Sequence, residues 1–135
     1  MIVVDTSALV AIALGEPERE AFVQVIHQAD KALVSTVSVV EARMVVHARR
    51  GHGAVALLDD VLRLPRFEVV PPAEAETDAA YAAFVIYGRG SGHPAKLNFG
   101  DVFSYALAKV RGAPLLFKGR DFSETDIADA LNTEA

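Results

Sequence analysis

Short apolar runs rich in β-branched residues alternate with helical patterns along the whole chain. That alternation constrains the fold more than any other feature, because parallel strands need long crossover connections and helices supply them. The first run, Ile2 to Asp5, predicts a short strand buried on both faces. A helix from Ser7 to Leu14 follows. Gly15-Glu16-Pro17 breaks it, and Pro17 sits in the first turn of a second helix running to Ala29. Ala32 to Ser35 reads as the second strand, and a long helix from Val37 to Arg50 ends at Gly51. A helix from Ala54 to Leu64 is stopped by Pro65, and the third strand, Phe67 to Val70, is closed by Pro71-Pro72. The helix Ala73 to Tyr87 leads into Gly88-Arg89-Gly90-Ser91-Gly92-His93-Pro94, a segment too glycine-rich for regular structure and the expected mobile loop. A helix from Phe99 to Arg111 and a strand Leu115 to Phe117 complete the pattern. The polar tail from Asp121 has room for one more short strand or helical turn. The class is α/β with a mainly parallel sheet.

Composition narrows the chemistry. At 135 residues the chain is expected to form a single domain, 1–135, able to bury most of its apolar surface without staples. It has no Cys, which excludes disulfides, zinc thiolates and thiol nucleophiles. No basic segment followed by an apolar stretch opens the chain, and no apolar run reaches the roughly 18 residues that span a bilayer, so a cytoplasmic protein without membrane contact is expected. Hydrophobic residues make up 52% of the chain, which hints at an apolar surface reserved for a partner, although Ala inflates the figure. The net charge of −5 argues against broad binding to phosphate backbones. A local basic stripe would escape that average.

Four acids stand out: Asp5, Glu41, Asp101 and Asp121. Each has an ordinary explanation. Asp5 is a helix N-cap, Ser38-Val39-Val40-Glu41 fits a capping box, and Asn98 with Asp101 follows the same logic; Asp121 can simply open a turn. Glu41 is the exception, because its helical neighbours Val37, Met44, Val45 and Ala48 are apolar and should face the core. Asp101 lies opposite the stripe Phe99, Val102, Phe103, Ala106, Leu107 and Val110, where an exposed acid is unremarkable. Collectively the acids follow strands or start helices, and in a parallel sheet those positions share one edge. Two carboxylates about 5 Å apart repel by roughly 3 kcal/mol at an effective dielectric near 20. Four in a cluster therefore require a counter-charge, and Mg²⁺ or Mn²⁺ suits all-oxygen ligands.

The segments Ile2-Val3-Val4-Asp5-Thr6-Ser7-Ala8-Leu9, Ser35-Thr36-Val37-Ser38-Val39-Val40-Glu41-Ala42, Leu97-Asn98-Phe99-Gly100-Asp101 and Leu116 to Ile127 resemble the PIN-domain family, and within it the VapC-type ribonuclease toxins. The similarity spans nearly the whole chain. It implies a three-layer α/β/α sandwich and a Mg²⁺-dependent endoribonuclease, the toxin of a toxin–antitoxin pair. By position, Asp5 and Asp101 would be the principal metal ligands, with Glu41 and Asp121 completing the site directly or through water. Thr6 or Ser7 would touch water or the scissile phosphate. The metal would polarise the phosphate and supply a hydroxide for in-line attack, leaving a 3′-hydroxyl and a 5′-phosphate. The resemblance also implies a homodimer and a VapB-type antitoxin that reaches the acidic site with a basic side chain. DNA would be met only through that antitoxin.

A negative protein that cuts RNA needs a local positive track. Lys118 and Arg120 flank Asp121 and are the first candidates. Arg43, His47 and Arg50 share one helical face, with Arg49 and His52 close by. Arg89, His93 and Lys96 line the glycine-rich loop, and Tyr81, Tyr87 and Tyr105 are the available stacking rings. Solvation alone accounts equally well for the Arg43 face and for the loop cations, each ring has packing as its alternative, and Asp126 has no assigned role. Two other functions fit parts of the pattern. In a receiver-like phosphoryl-transfer protein Asp5 would be the nucleophile and Lys118 a phosphate partner, but Thr6-Ser7 offers no second acid two positions on. In a non-catalytic RNA- or protein-binding module the acids would only cap helices.

Overall fold

The computed structural model describes residues 1–132, so the last three residues of the expected 1–135 domain lie outside it. Four strands, β1 (Ile2–Val4), β2 (Ala32–Ser35), β3 (Phe67–Val70) and β4 (Leu115–Leu116), form one sheet in the order β3-β2-β1-β4. All three pairings are parallel, with Val3 beside Leu33 on one side and Leu115 on the other. The helices are α1 (Thr6–Leu14), α2 (Arg19–Gln28), α3 (Thr36–Arg50), α4 (His52–Leu62), α5 (Glu74–Tyr87) and α6 (Phe99–Arg111).

Successive strand residues point to opposite faces, and the two cores divide accordingly. Ile2, Val4, Ala32, Val34 and Leu116 pack beneath α1 to α4. Val3, Leu33 and Leu115 pack beneath α5 and α6. The expected three-layer α/β/α sandwich is therefore present, and burial on both faces explains the apolar runs of β1, β2 and β4. Edge strand β3 is half open to solvent, where the Lys31–Glu68 ion pair at 2.8 Å keeps it charged. No helix among the described residues is long and apolar enough to cross a membrane.

The bounds of β2, β3 and α6 match the expected ones. Asp5 leaves β1 to cap α1. Pro17 stays outside α2, because Glu16 N–H bonds Ala11 O and Arg19 N–H bonds Glu16 O, holding the intervening residues in a turn. Helix α4 lies two residues earlier than expected at both ends, and its last turn closes with Arg63 N–H on Asp59 O, ahead of the region that Pro65 disfavours for helix. Phe117 lies beyond β4, and the tail forms a 3₁₀ turn at Phe122–Glu124 followed by a parallel bridge between Leu115 and Asp129. The glycine-rich segment has no helix or strand, but it is closed at its base by Arg89 N–H on Leu97 O and Leu97 N–H on Tyr87 O.

The strand order has a consequence for chemistry. The chain moves outward from β1 to β2 to β3, then crosses back so that β4 lies on the other side of β1. The gap between the carboxyl ends of β1 and β4 is therefore the topological switch point, where open α/β sheets leave a crevice for ligands. Asp5 stands at one lip of it and the Lys118–Asp121 segment at the other.

Candidate active site

Asp5 turns from strand into helix with extended backbone, and its Oδ2 accepts from Ser7 N–H at 3.0 Å and Ser7 O–H at 2.7 Å. Ser7 Oγ in turn accepts from Lys118 N–H at 3.0 Å, which ties the two lips of the crevice together. Asp5 is only 2% exposed, and its Oδ1 is buried without a hydrogen-bond partner. The nearby Ser104 hydroxyl is engaged with Ser38 Oγ at 3.0 Å. Burial raises the Asp5 pKa, opposed by Ser104, Ser7 and the Ser7 and Thr6 amides. An orphaned carboxylate oxygen in a buried site asks for a proton or a cation.

Asp101 supplies the second acid. Asn98 caps α6 in a reciprocal box, with Asp101 N–H on Asn98 Oδ1 at 2.9 Å and Asn98 N–H on Asp101 Oδ2 at 3.0 Å. Its pKa is pushed up to about 7, first by burial and then by the negative charges of Asp5, Asp121 and Glu41, against the Asn98 amide. All four acids thus share one electrostatic neighbourhood. The expectation that Asp101 is an unremarkable exposed acid does not hold. It is half-buried, and of the stripe thought to oppose it Phe99 and Val110 are exposed.

Glu41 arrives by a different route from the one its sequence suggests. Helix α3 buries Ser38, Val39, Ala42 and Val46, while Met44 and Ala48 face solvent, so Glu41 is half-buried at the edge of the packed face. Its cap is Ser35, whose Oγ accepts from Val37 N–H; Ser38 lies inside the helix. The Glu41 carboxylate lies against Gly100, where an added Cβ would stand 2.3 Å from Oε2 and 2.4 Å from Oε1. Only glycine leaves that room. Asp121 is exposed and does not line the cleft shared by the other three acids, though its charge reaches Asp101; it stands just before the turn anchored by buried Phe122, whose ring packs on Phe117 at 5.3 Å.

A cleft of about 290 Å³ joins Asp5, Glu41 and Asp101 with Thr6, Ser7 and Asn98. Among the described residues, no group of three acids or histidines converges tightly enough to cage an ion without help. The donors are nevertheless all hard oxygens, one of them orphaned, and Mg²⁺ characteristically takes one or two carboxylates and keeps several waters. The donor set fits an ion bound that way. Thr6 Oγ1 is buried and directed to Ser38 O at 3.5 Å.

The basic residues divide. Lys118 and Arg49 line the cleft, but Lys118 Nζ pairs with Glu16 at 3.2 Å and Glu18 at 3.4 Å, and Arg49 reaches Glu16 at 3.7 Å. Arg43 pairs with Asp59 at 2.9 Å and is not among the cleft-lining residues. Arg120 is exposed beside Asp121. Of the three candidate stacking rings, Tyr105 is buried and donates to Asp126 Oδ1 at 2.5 Å, Tyr87 is half-buried against it, and Tyr81 is 71% exposed. Sequence reasoning missed Gly100 and Glu16. A glycine in the first turn of a helix, where it costs propensity, is the signal that could have found the former.

Comparison with known proteins identifies the family and the fold. Residues 2–128 match the PIN domain. The VapC ribonuclease Mb0640 of Mycobacterium bovis is 46% identical over 127 residues, covering 94% of this chain and 96% of that protein. Among solved structures, Mycobacterium tuberculosis VapC20, a Sarcin-Ricin loop cleaving toxin, superposes with a TM-score of 0.79 at 19% identity, covering 96% of this chain and 98% of that one. VapBC2 from Rickettsia felis, bound to a DNA fragment from its promoter, gives 0.73 at 14% identity over 96% of both chains. Those last two likenesses speak for the fold. The match over residues 2–128 and the 46% identity decide the family: the chain belongs to the PIN-domain family.

Proposed function

We propose that this protein is a Mg²⁺-dependent endoribonuclease, the toxin of a toxin–antitoxin pair, acting in the cytoplasm. The observation that carries the proposal is the crowding of Asp101 by three other carboxylates beside the orphaned Asp5 Oδ1. Asp5 and Asp101 would hold a divalent cation, Mg²⁺ or alternatively Mn²⁺, and Glu41 and Asp121 would complete the site directly or through water. When bound, the cation polarises the scissile phosphate and makes an attacking water more acidic. The protein's own groups do the rest. Ser7 fixes the Asp5 carboxylate in one orientation, and Gly100 lets Glu41 approach the first turn of α6. Thr6 shares the cleft floor. Lys118 and Arg120 stand on the β4 lip to meet substrate phosphates, joined by Arg49 from α3; Arg43 stands back on Asp59. Glu41 or Asp121 accepts the proton that leaves the attacking water.

The partners follow from the same reading. RNA is the substrate, a VapB-type antitoxin the inhibitor, and a second copy of the chain the dimer mate. Two exposed apolar surfaces are available to the protein partners: a groove of about 450 Å³ between Ile12, Val23, Ile26, Leu64 and Phe67, and a hollow on α5 and α6 around Tyr81, Phe84 and Phe99. The test is incubation of purified protein with total cellular RNA, with Mg²⁺ and with chelator, and mapping of the ends. Cuts bearing 3′-hydroxyls and 5′-phosphates that vanish with chelator and in Asp101→Asn are expected. Cleavage that survives Asp101→Asn, or none with Mg²⁺, overturns the proposal.

A further inference from the structure

Beside the acidic cleft lies a second cavity of about 660 Å³, lined by Arg89, Gly90, Gly92, His93, Lys96 and Asp121. Its charge is opposite to that of the cleft and to the net −5 of the chain. On the cleft side, Lys118 meets a phosphate only by exchanging Glu16 and Glu18 for it, and Arg49 by exchanging Glu16, while Lys109 is held by Asp126. Among the described residues neither Arg89 nor Lys96 forms an ion pair.

The cavity is also built rather than incidental. Arg89 and Lys96 sit at the two ends of the glycine-rich loop, next to the bridge between Gly88 and Leu97 that closes its base. Ala95 and Leu97 are fully buried on either side of Lys96, which fixes where Lys96 emerges. Lys96 is the one non-glycine residue with positive φ among the described residues, at +49°, a conformation that costs free energy and persists only where the surroundings impose it. His93 Nδ1 accepts from Ala95 N–H at 3.1 Å, so the neutral ring carries its proton on Nε2 as a donor, and the ring stands edge-on to Tyr87 at 4.8 Å. Two cations and one fixed donor therefore converge on a single space.

We propose that this cavity is a second phosphate subsite, seating a backbone phosphate of single-stranded RNA next to the scissile one. The chain itself measures the separation. Lys118 lines the acidic cleft and Asp121 lines the basic cavity, and three residues of chain span at most about 10 Å. Neighbouring nucleotides bridge that distance. Asp121 then has a second task, standing at the border and repelling a phosphate that would settle short of the subsite. A subsite of this kind binds the strand through phosphate and carries no base information.

The inference rests on the ribonuclease reading above, and its test separates the two. A fluorescein-labelled single-stranded RNA is titrated into the intact protein across a salt series, in an Asp101→Asn background that leaves it uncut; KM and kcat are measured separately with Asp101 present. Arg89→Met and Lys96→Gly are each expected to weaken binding about threefold or more and to reduce the slope of log K against log salt by about 0.7, the value for one lost phosphate contact on a single strand. KM should rise while kcat stays within about twofold, as for an interaction equally strong in ground and transition states. Lys96→Gly also relieves the positive φ, so its melting temperature should hold or rise while binding falls, a combination that damage to the fold does not produce. Unchanged affinity and slope in both variants overturn the subsite. Wild-type protein that leaves RNA intact with Mg²⁺ overturns the ribonuclease reading, and the binding titration still decides the subsite.

Discussion

At Gly100, a single added carbon meets both oxygens of Glu41, at 2.3 and 2.4 Å. Elsewhere in a helix Gly→Ala would gain about 0.5–1 kcal/mol; here Glu41 must swing away to make room. Gly100→Ala is therefore expected to keep the fold, with stability changed by less than about 1 kcal/mol, and to lower cleavage by about tenfold or more, the loss of a misplaced catalytic group. Activity near wild type would show that Glu41 is not needed where it stands. Asp101 gives a prediction in pH. Its folded pKa of about 7 lies above the roughly 3.9 of an unfolded chain, so folding takes up a proton between those values. The resulting stability is complete below about 4 and lost as pH rises through about 7. In chelator, the melting temperature should climb as pH is lowered from 8 toward 5. Asp101→Asn should flatten that climb and raise the metal-free melting temperature at pH 8, relieving repulsion from Asp5, Asp121 and Glu41. A melting temperature that falls over that range in chelator would refute the crowded-acid account.

Helix α1 is fastened to the β4 side of the sheet by the amide of its cap, Asp5 N–H on Leu116 O at 2.9 Å, and by the hydroxyl of Ser7. Ser7 Oγ donates to Asp5 Oδ2 and accepts from Lys118 N–H, so Ser7→Ala removes both links and leaves the Lys118 amide unpaired. The expected cost is about 1–2 kcal/mol, or roughly 3–8 °C in melting temperature. Ser7→Thr keeps a hydroxyl and should recover most of both stability and activity. If Ser7→Ala matched Asp5→Asn in lost activity without any loss of stability, Ser7 would be acting on substrate instead of holding Asp5. The tail is fastened in a similar way. Leu115 N–H bonds Ala128 O and Ala130 N–H bonds Leu115 O, laying the segment after Asp121 along β4. Asp126 locks it by accepting from Tyr105 O–H and pairing with Lys109 Nζ at 2.7 Å. Lys109 and Tyr105 hold the Asp126 carboxyl below the usual range, and burial, with Asp126 second, pushes the Tyr105 hydroxyl up. This gives Asp126, which sequence left without a role, a structural one. Asp126→Ala is expected to speed amide exchange from Asp121 to Ala130 and to weaken cleavage less than Asp101→Asn does.

Across the whole molecule, what the sequence discloses depends on how local the cause is. Strand and helix bounds were legible where a doubly buried run, a pair of prolines or a terminal glycine punctuates the chain, as at β2, β3 and α6 in turn. The placing of β4 beside β1 was not, because nothing near Leu115 encodes its pairing with Val3. The four acids were legible from spacing, but the surroundings of Glu41 were not. Apolar residues lie on nearly every side of α3, so the 3.6-residue period fits more than one face, and the Ser38–Ser104 contact with α6 belongs to the face that is buried. The same ambiguity hid the outer surface. Phe99 and Val102 were placed on one inward stripe, yet Phe99 is 74% exposed while Val102 is buried. Phe99 opens α6 between the cap Asn98 and the site residues Gly100 and Asp101, its ring edge-on to Phe103 at 5.1 Å, in the hollow shared with Tyr81 and Phe84. Aromatic side chains left open in one hollow, adjoining the acidic edge, are what an interface between two copies needs. A dimer formed there sets the two acidic clefts close to the joint, so breaking it should affect RNA binding as well as assembly. Phe99→Glu puts a carboxylate into each half of a self-facing contact, where like charges cost the dimer twice over. Sedimentation at rising concentration is expected to give a dimer for the wild type and a monomer for Phe99→Glu, with the monomer keeping its melting transition because the ring is not part of either core. A wild-type chain that stays monomeric at every concentration, or a Phe99→Glu variant that dimerises as before, would move the dimer to another surface.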